Sequence, residues 1–322
     1  MTRLAGGGDN LPVAKVYFIL GCTAVGKGAI ARELARRLGG QIVSVDSMKV
    51  YRRMDIGTAK PSAQDRAAIA HHCIDVVEPS ESFSVAQYVA TADEAIRSIV
   101  SAGSLPLAVG GTSLYIKALS EGLFDGPGGE ASIRAELKAR AASEGLKSLY
   151  RELQTVDVEA ARRIHPNDQR RIVRALEVYR ARGVPISQLQ KQWDSGSRRY
   201  DCVFVGLRRE KADLSRRINA RVKRMVEAGL PAETAALWAE PAGLSPQAAQ
   251  AVGYAEMFAH LDGRITFQDA VESIKINTRK LAKRQRTWHR RWADVRWFDL
   301  AGDTSAEDAA EAILKAVPFD KG

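Results

Sequence analysis

Val16-Tyr-Phe-Ile-Leu-Gly21-Cys-Thr-Ala-Val-Gly26-Lys27-Gly28 is the stretch that decides the fold. Its first five residues are continuously apolar and suit a strand covered on both faces, and Gly21 ends the run in a turn. Beyond the turn, Ile30, Leu34 and Leu38 recur every four residues as one stripe of an amphipathic helix. A strand, a Gly-rich loop and a helix in that order aim backbone amides and the positive helix end at one point, where Lys27 can also reach. Anionic phosphate oxygens fit there. Gly21, Cys22, Thr23, Ala24, Val25, Gly26, Lys27 and Gly28 are therefore the candidate diphosphate- or nucleotide-binding residues. The last of them is irregular. Such loops usually end in Ser or Thr, whose hydroxyl joins a Mg²⁺ shell, and Gly28 has no hydroxyl. The amides and Lys27 can still hold a diphosphate, and Mg²⁺ is expected as cofactor with its ligands open among Thr23, Ser47 and water.

Working outward, Gly39-Gly40 stop the helix and Ile42–Asp46 gives a second buried strand. A helix around Val85 to Ala102 leads to a third strand, Leu105–Gly111, and His72–Val77 suggests a further short one. Between about Gly126 and Gly196 the β-like runs stop, while Ile133, Leu137, Leu146, Leu149, Leu153, Ile172, Leu176 and Tyr179 fall at helical spacing. Strand-like sequence returns at Cys202–Leu207 and Val295–Leu300. The expected fold is α/β, a P-loop-type parallel sheet flanked by helices, with a helical insertion domain. The expected boundaries are a discontinuous core over 12–125 and 197–318, an insertion over 126–196, and a flexible N-terminus over 1–11.

The net charge of +10 and pI near 9.6 make an anionic partner plausible, nucleic acid or a phosphorylated small molecule, but a merely solvated basic surface fits equally well. Three cysteines, Cys22, Cys73 and Cys202, lie far apart without a CxxC spacing, which argues against a disulfide framework or a zinc site. No leader-like apolar stretch precedes Pro12 and no later run approaches a membrane span, so a soluble cytoplasmic protein is expected.

Further segments carry a specific likeness. Ser44-Val-Asp46-Ser47-Met48-Lys49-Val-Tyr51 runs into Met54-Asp-Ile-Gly-Thr-Ala-Lys-Pro61 after the second strand, and Val109-Gly-Gly-Thr112-Ser-Leu-Tyr115 follows the third. Ile164-His-Pro-Asn-Asp168-Gln-Arg170-Arg171-Ile-Val-Arg174-Ala-Leu-Glu-Val-Tyr179 lies in the insertion, with Val252-Gly-Tyr254 and the basic Leu281–Trp288 after it. In this order, over roughly residues 14 to 300, the chain resembles the tRNA dimethylallyltransferase family of bacterial type. It departs from that family at Cys22, where Pro is usual, at Gly28, where Thr or Ser is usual, and at Lys49, where Gln is common.

The resemblance implies transfer of a dimethylallyl group from its diphosphate to the N6 amine of the adenosine just 3′ of the anticodon. Asp46, ending the second strand at the edge where α/β sheets bind ligands, is then the candidate general base for N6. Without the likeness, a helix cap or phosphate-loop support is the lesser alternative. Thr112 and Arg134 match family positions that contact substrate, and their implied task is to stabilise the departing diphosphate. The implied tRNA contacts are Asp46, Ser47, Met48 and Lys49; Arg170, Arg171, Ile172, Val173 and Arg174; and Gln250, Ala251, Val252, Gly253, Tyr254 and Ala255. Arg170 and Arg174 lie one helical turn apart on a basic ridge that suits RNA or plain solvation. Trp288, Trp292 and Trp297 sit among Lys and Arg, suited either to base stacking or to the core. The implied partners are the tRNA anticodon loop and dimethylallyl diphosphate, no membrane, and a monomeric enzyme. The alternatives are a P-loop kinase of small metabolites, an enzyme prenylating free adenine nucleotides, and a non-catalytic RNA-binding protein. Gly28 weighs against the kinase, because phosphoryl transfer leans on Mg²⁺ held by the loop hydroxyl.

Overall fold

The computed structural model describes residues 14–123, 130–190, 198–290 and 292–320. The N-terminus expected to be flexible, 1–11, lies outside them. The chain divides into two compact units, one formed by Met1–Ser120 with Tyr200–Gly322 and the other by Glu121–Arg199.

In the first unit six strands, β1 (Lys15–Gly21), β2 (Gly40–Val45), β3 (His71–His72), β4 (Leu105–Gly110), β5 (Asp201–Arg209) and β6 (Val295–Leu300), form one sheet in the order β3-β2-β4-β1-β5-β6. Every neighbouring pair is parallel. The register sets Tyr17 against Leu107 on one side and Val203 on the other, so β1 is central. Its residues Val16 to Leu20 are fully buried, which is why the run is apolar without alternation. Each such large side chain contributes on the order of 1.5–3 kcal/mol by leaving water. Helices Lys27–Leu38 and Ala306–Ala316 pack their Leu34 and Ile313 stripes into the same core as Tyr17 and Ile19, joined there by Ile218 of helix Lys211–Glu227 and Ile274 of helix Phe267–His289.

The strand expected over His72–Val77 shrinks to His71–His72. The chain leaves extended geometry at once, because Cys73 and Asp75 take positive φ of 60° and 56°. Asp75 is gripped by Lys60, whose ammonium also reaches the Tyr51 carbonyl, both at 2.6 Å. Trp292 and Trp297 are half-buried. Trp292 packs edge-on against Phe204 at 5.0 Å, and Trp297 lies against Gly206 with the Arg208 guanidinium 5.0 Å from its ring.

The second unit is helical: Ala131–Ser143, Leu146–Val156, Val158–Arg163, Gln169–Arg182 and Ile186–Leu189. Leu137, Leu149, Leu153, Ile172 and Leu176 make its core. Asp157 begins the third helix by accepting the Ala160 N–H and ties in Ser187 with its other oxygen. Asp168 caps the fourth through the Arg171 N–H at 3.1 Å. Glu177 of that helix is fully buried and pairs with Arg134 at 3.0 Å and Arg174 at 3.2 Å.

Candidate functional site

The phosphate loop turns sharply between β1 and its helix. Ala24 and Gly26 both take positive φ, 64° and 108°, and Gly26 is the helix N-cap without a side-chain cap. The first amides of the helix therefore remain available to a ligand. Lys27 folds back over the loop, its Nζ donating to the Cys22 carbonyl at 3.2 Å.

Opposite the loop stand the ends of β2 and β4. Asp46 follows β2, and its Oδ1 accepts the Met48 N–H at 2.9 Å, fixing the turn that presents Ser47 to Lys49. Thr112 ties the two strand ends together, its Oγ1 accepting the Ser47 N–H at 3.1 Å. The close approach explains Gly110-Gly111: a Cβ on Gly110 would overlap the Val45 carbonyl, and one on Gly111 would stand 2.9 Å from the Gly21 oxygen. Gln285, from helix Phe267–His289, joins loop and strand end by accepting the Thr23 N–H at 2.8 Å and donating to the Gly111 carbonyl at 3.0 Å.

Together these walls enclose a cavity of about 830 Å³. Thr23, Ala24, Gly26, Lys27 and Gly28 line one side, Asp46 to Lys49 and Thr112 another, and Gln250 to Val252 a third. The remaining wall was not foreseen from sequence. It is the helix Lys211–Glu227, which follows β5 and contributes Arg216, Arg217, Arg221 and Arg224, with Arg284 added from helix Phe267–His289. Arg217 is docked on the loop itself, donating to the Ala24 carbonyl at 3.0 Å. The lining thus carries seven cationic side chains, Lys27, Lys49, Arg216, Arg217, Arg221, Arg224 and Arg284, against one carboxylate, Asp46. Burial pushes Lys27, Arg217 and Arg221 below their ordinary values and Lys49 down to about 8. Asp46 opposes the shift in Lys27, Lys49 and Arg221, and neighbouring cations add to it. An anion placed here relieves the crowding and raises those values again.

Several expected site residues take other places. Gly21, Cys22 and Val25 are buried beneath the loop and offer a ligand no side chain in this cavity. Cys22 instead faces a second cavity of about 720 Å³ beside His289, whose imidazole is pushed down to about 4 by burial. Gly253 and Tyr254 stand behind the cavity wall. The Tyr254 ring packs where a Gly57 side chain would be, and its hydroxyl donates to Glu233 at 2.6 Å. Glu233 in turn accepts the N–H groups of Asp55, Ile56 and Gly57. Gly253 and Tyr254 thereby brace the loop that brings Gly57, Thr58 and Ala59 to the cavity rim. Ala255, partly buried, is not among the lining residues. In the second unit the side chains of Ile172 and Val173 lie in the core, while Arg170 and Arg171 are exposed and Arg174 is half-buried. Arg134 belongs to that unit, ion-paired to Glu177.

Residues 49–292 match the family model described as IPP transferase. The chain is 44% identical over 288 residues to a tRNA dimethylallyltransferase of Geobacter metallireducens, covering 89% of this chain and 93% of that one. It is 46% identical over 287 residues to the enzyme of the same name from Geobacter sulfurreducens, covering 88% and 92%. Among solved structures, the full-length tRNA isopentenylpyrophosphate transferase of Bacillus halodurans matches with a TM-score of 0.67 at 41% identity, over 94% of this chain and 96% of that one. A eukaryotic dimethylallyltransferase acting on tRNA matches with a TM-score of 0.78 at 28% identity, over 94% and 76%. These likenesses do not favour a small-metabolite kinase. With the phosphate loop, the parallel sheet and the cation-lined cavity on one chain, the protein belongs to the IPP transferase family of prenyl-transferring enzymes.

Proposed function

We propose that this chain transfers a dimethylallyl group from dimethylallyl diphosphate to the N6 amine of the adenosine adjoining the anticodon in tRNA, giving N6-isopentenyladenosine. The observation that carries this reading is the cavity at the C-terminal edge of the sheet, where seven cations face a single carboxylate. A diphosphate satisfies the cations. Carboxylate Asp46 remains for a proton. N6 attacks the allylic carbon, the new C–N bond forming as the C–O bond to diphosphate breaks and its electron pair leaves with the diphosphate. The N6 proton passes to Asp46. Loop amides, Lys27, Arg217 and Arg221 stabilise the negative charge that builds on the leaving group, in a site where water screens little. Thr112, already holding the Ser47 amide, keeps the segment from Asp46 to Lys49 in place against the base.

The adenine must leave its stack to enter such a cavity, and the helical insertion, with Arg170, Arg171 and Arg174 on one helix, supplies cations for the phosphates of the anticodon loop. Mg²⁺ enters this reading as an ion arriving on the diphosphate, because Gly28 at the helix start offers no hydroxyl to anchor it to the loop. A monomer working in the cytoplasm completes the reading, and no described helix is long and apolar enough to cross a membrane. The test is incubation with unmodified tRNA and dimethylallyl diphosphate, with mass analysis of the nucleosides. Isopentenyladenosine that vanishes in Asp46→Ala supports the reading. Unmodified tRNA together with phosphorylation of a metabolite by ATP overturns it.

A further inference from the structure

The oxygen donors around the loop do not fit a divalent cation anchored at the start of the helix. Gly28 supplies no hydroxyl. The heavy atom nearest to a Cβ built on Gly28 is Nη1 of Arg32, at 3.7 Å, so a guanidinium borders the position from which a loop hydroxyl would act. Arg32 stands behind Gly28, outside the residues that line the cavity, where its Nε pairs with Asp65 at 3.1 Å and Nη1 is left toward Gly28. Lys49 stands in the same cavity lining as Gly28 and is near enough to Asp46, Lys27, Arg221 and Arg32 to interact electrostatically with each. Asp46, the one carboxylate of that lining, already spends Oδ1 on the Met48 amide.

We propose that Arg32 and Lys49 together replace the loop-anchored divalent cation, so that this chain grips diphosphate through fixed protein charge. Both are positive groups that need no oxygen cage, whereas Mg²⁺ demands close to six oxygens in near-ideal geometry. A guanidinium offers several N–H donors in a fixed fork suited to phosphate oxygens, and an ammonium acts beside it as a compact point charge. The two changes compensate one another: loss of the hydroxyl at Gly28 removes a metal ligand, and the amine at Lys49 adds a charge. This inference rests on the proposed diphosphate site.

Calorimetric titration of the full chain with inorganic pyrophosphate, once with Mg²⁺ and once with EDTA, tests it without using activity. Wild type is expected to bind in EDTA within about threefold of its affinity in Mg²⁺, and Lys49→Gln and Arg32→Gln each to lose about tenfold or more in EDTA. Lys49→Arg, which keeps the charge, should retain the metal-free affinity and shows that the loss is electrostatic rather than a folding defect. Gly28→Thr/Lys49→Gln should regain affinity in Mg²⁺ alone. Wild-type binding that collapses in EDTA, or a Lys49→Gln chain that binds as well as wild type there, overturns the inference and leaves the diphosphate site standing. Absence of pyrophosphate binding in both conditions overturns the diphosphate site itself, and this inference with it.

Discussion

Two arginine-rich regions of this chain differ in what faces their charge. In the helical insertion the cations are answered by carboxylates. Arg140 meets Glu144 at 3.1 Å and Glu152 at 2.8 Å, while Arg180 meets Glu136 at 2.8 Å and Glu152 at 3.1 Å. Hydrogen bonds donated to Glu144 and Glu152 hold Arg140 above its ordinary value, and, against a lowering by burial, those donated to Glu136 and Glu152 do the same for Arg180. In the cavity the direction reverses. Burial pushes Lys27, Lys49, Arg217 and Arg221 down, and among the described residues Lys49, Arg221, Arg224 and Arg284 have no ion pair. Charge that is matched inside the fold serves the fold; charge gathered without a match around a concavity is a binding site for an anion.

The comparison can be broken most severely at Asp46. Asp46→Asn should lower the rate of prenyl transfer by about 10²–10⁴-fold and leave pyrophosphate affinity unchanged or improved, since it removes the proton acceptor and a repelling charge. Single-turnover transfer and calorimetry separate the two. Arg221→Gln should do the opposite, weakening pyrophosphate binding by about tenfold or more while thermal unfolding of the empty chain shifts little or upward.

The pH dependence sharpens the same contrast. With its value pushed down to about 8 by burial, Lys49 is charged below that pH, and a bound anion raises its value. Binding above pH 8 then requires proton uptake, so affinity should fall by about tenfold per pH unit there, until the raised value is passed. Titrations of wild type and Lys49→Arg in parallel check this, because the arginine stays charged and removes that part of the slope.

The carboxylate pairs of the insertion should show their effect on stability first. Glu177→Ala leaves Arg134 and Arg174 without their buried partner and should cost about 2 kcal/mol, read as a lower denaturation midpoint. Arg180→Gln, at the surface, should cost about 0.5 kcal/mol by the same measurement and leave pyrophosphate binding untouched.

What sequence disclosed and what it hid follow from how each feature is encoded. The loop, the buried strands and Asp46 are local patterns: an apolar run, glycines at a turn, an acid at a strand end. The cationic wall is not local. Helix Lys211–Glu227 looks like any basic amphipathic surface, and only the return of the chain into β5 beside β1 brings it over the loop. A trace was present, since Arg217, Arg221 and Arg224 fall at i, i+4 and i+7 on one face of a helix that follows a strand as Lys27–Leu38 does. Tyr254, Ile172 and Val173 show the opposite case. Their segments matched a motif, but a motif does not say which of its side chains turn inward. In these three the apolar bodies went to the core.

Single-turnover transfer from dimethylallyl diphosphate to tRNA, run side by side with wild type, Arg221→Gln and Arg180→Gln, tests the central claim most directly. Transfer by wild type, slowed about tenfold or more by Arg221→Gln and unchanged by Arg180→Gln, is the result expected if the unmatched cations hold the departing diphosphate. Equal rates for the two variants, or no transfer by wild type, would contradict it.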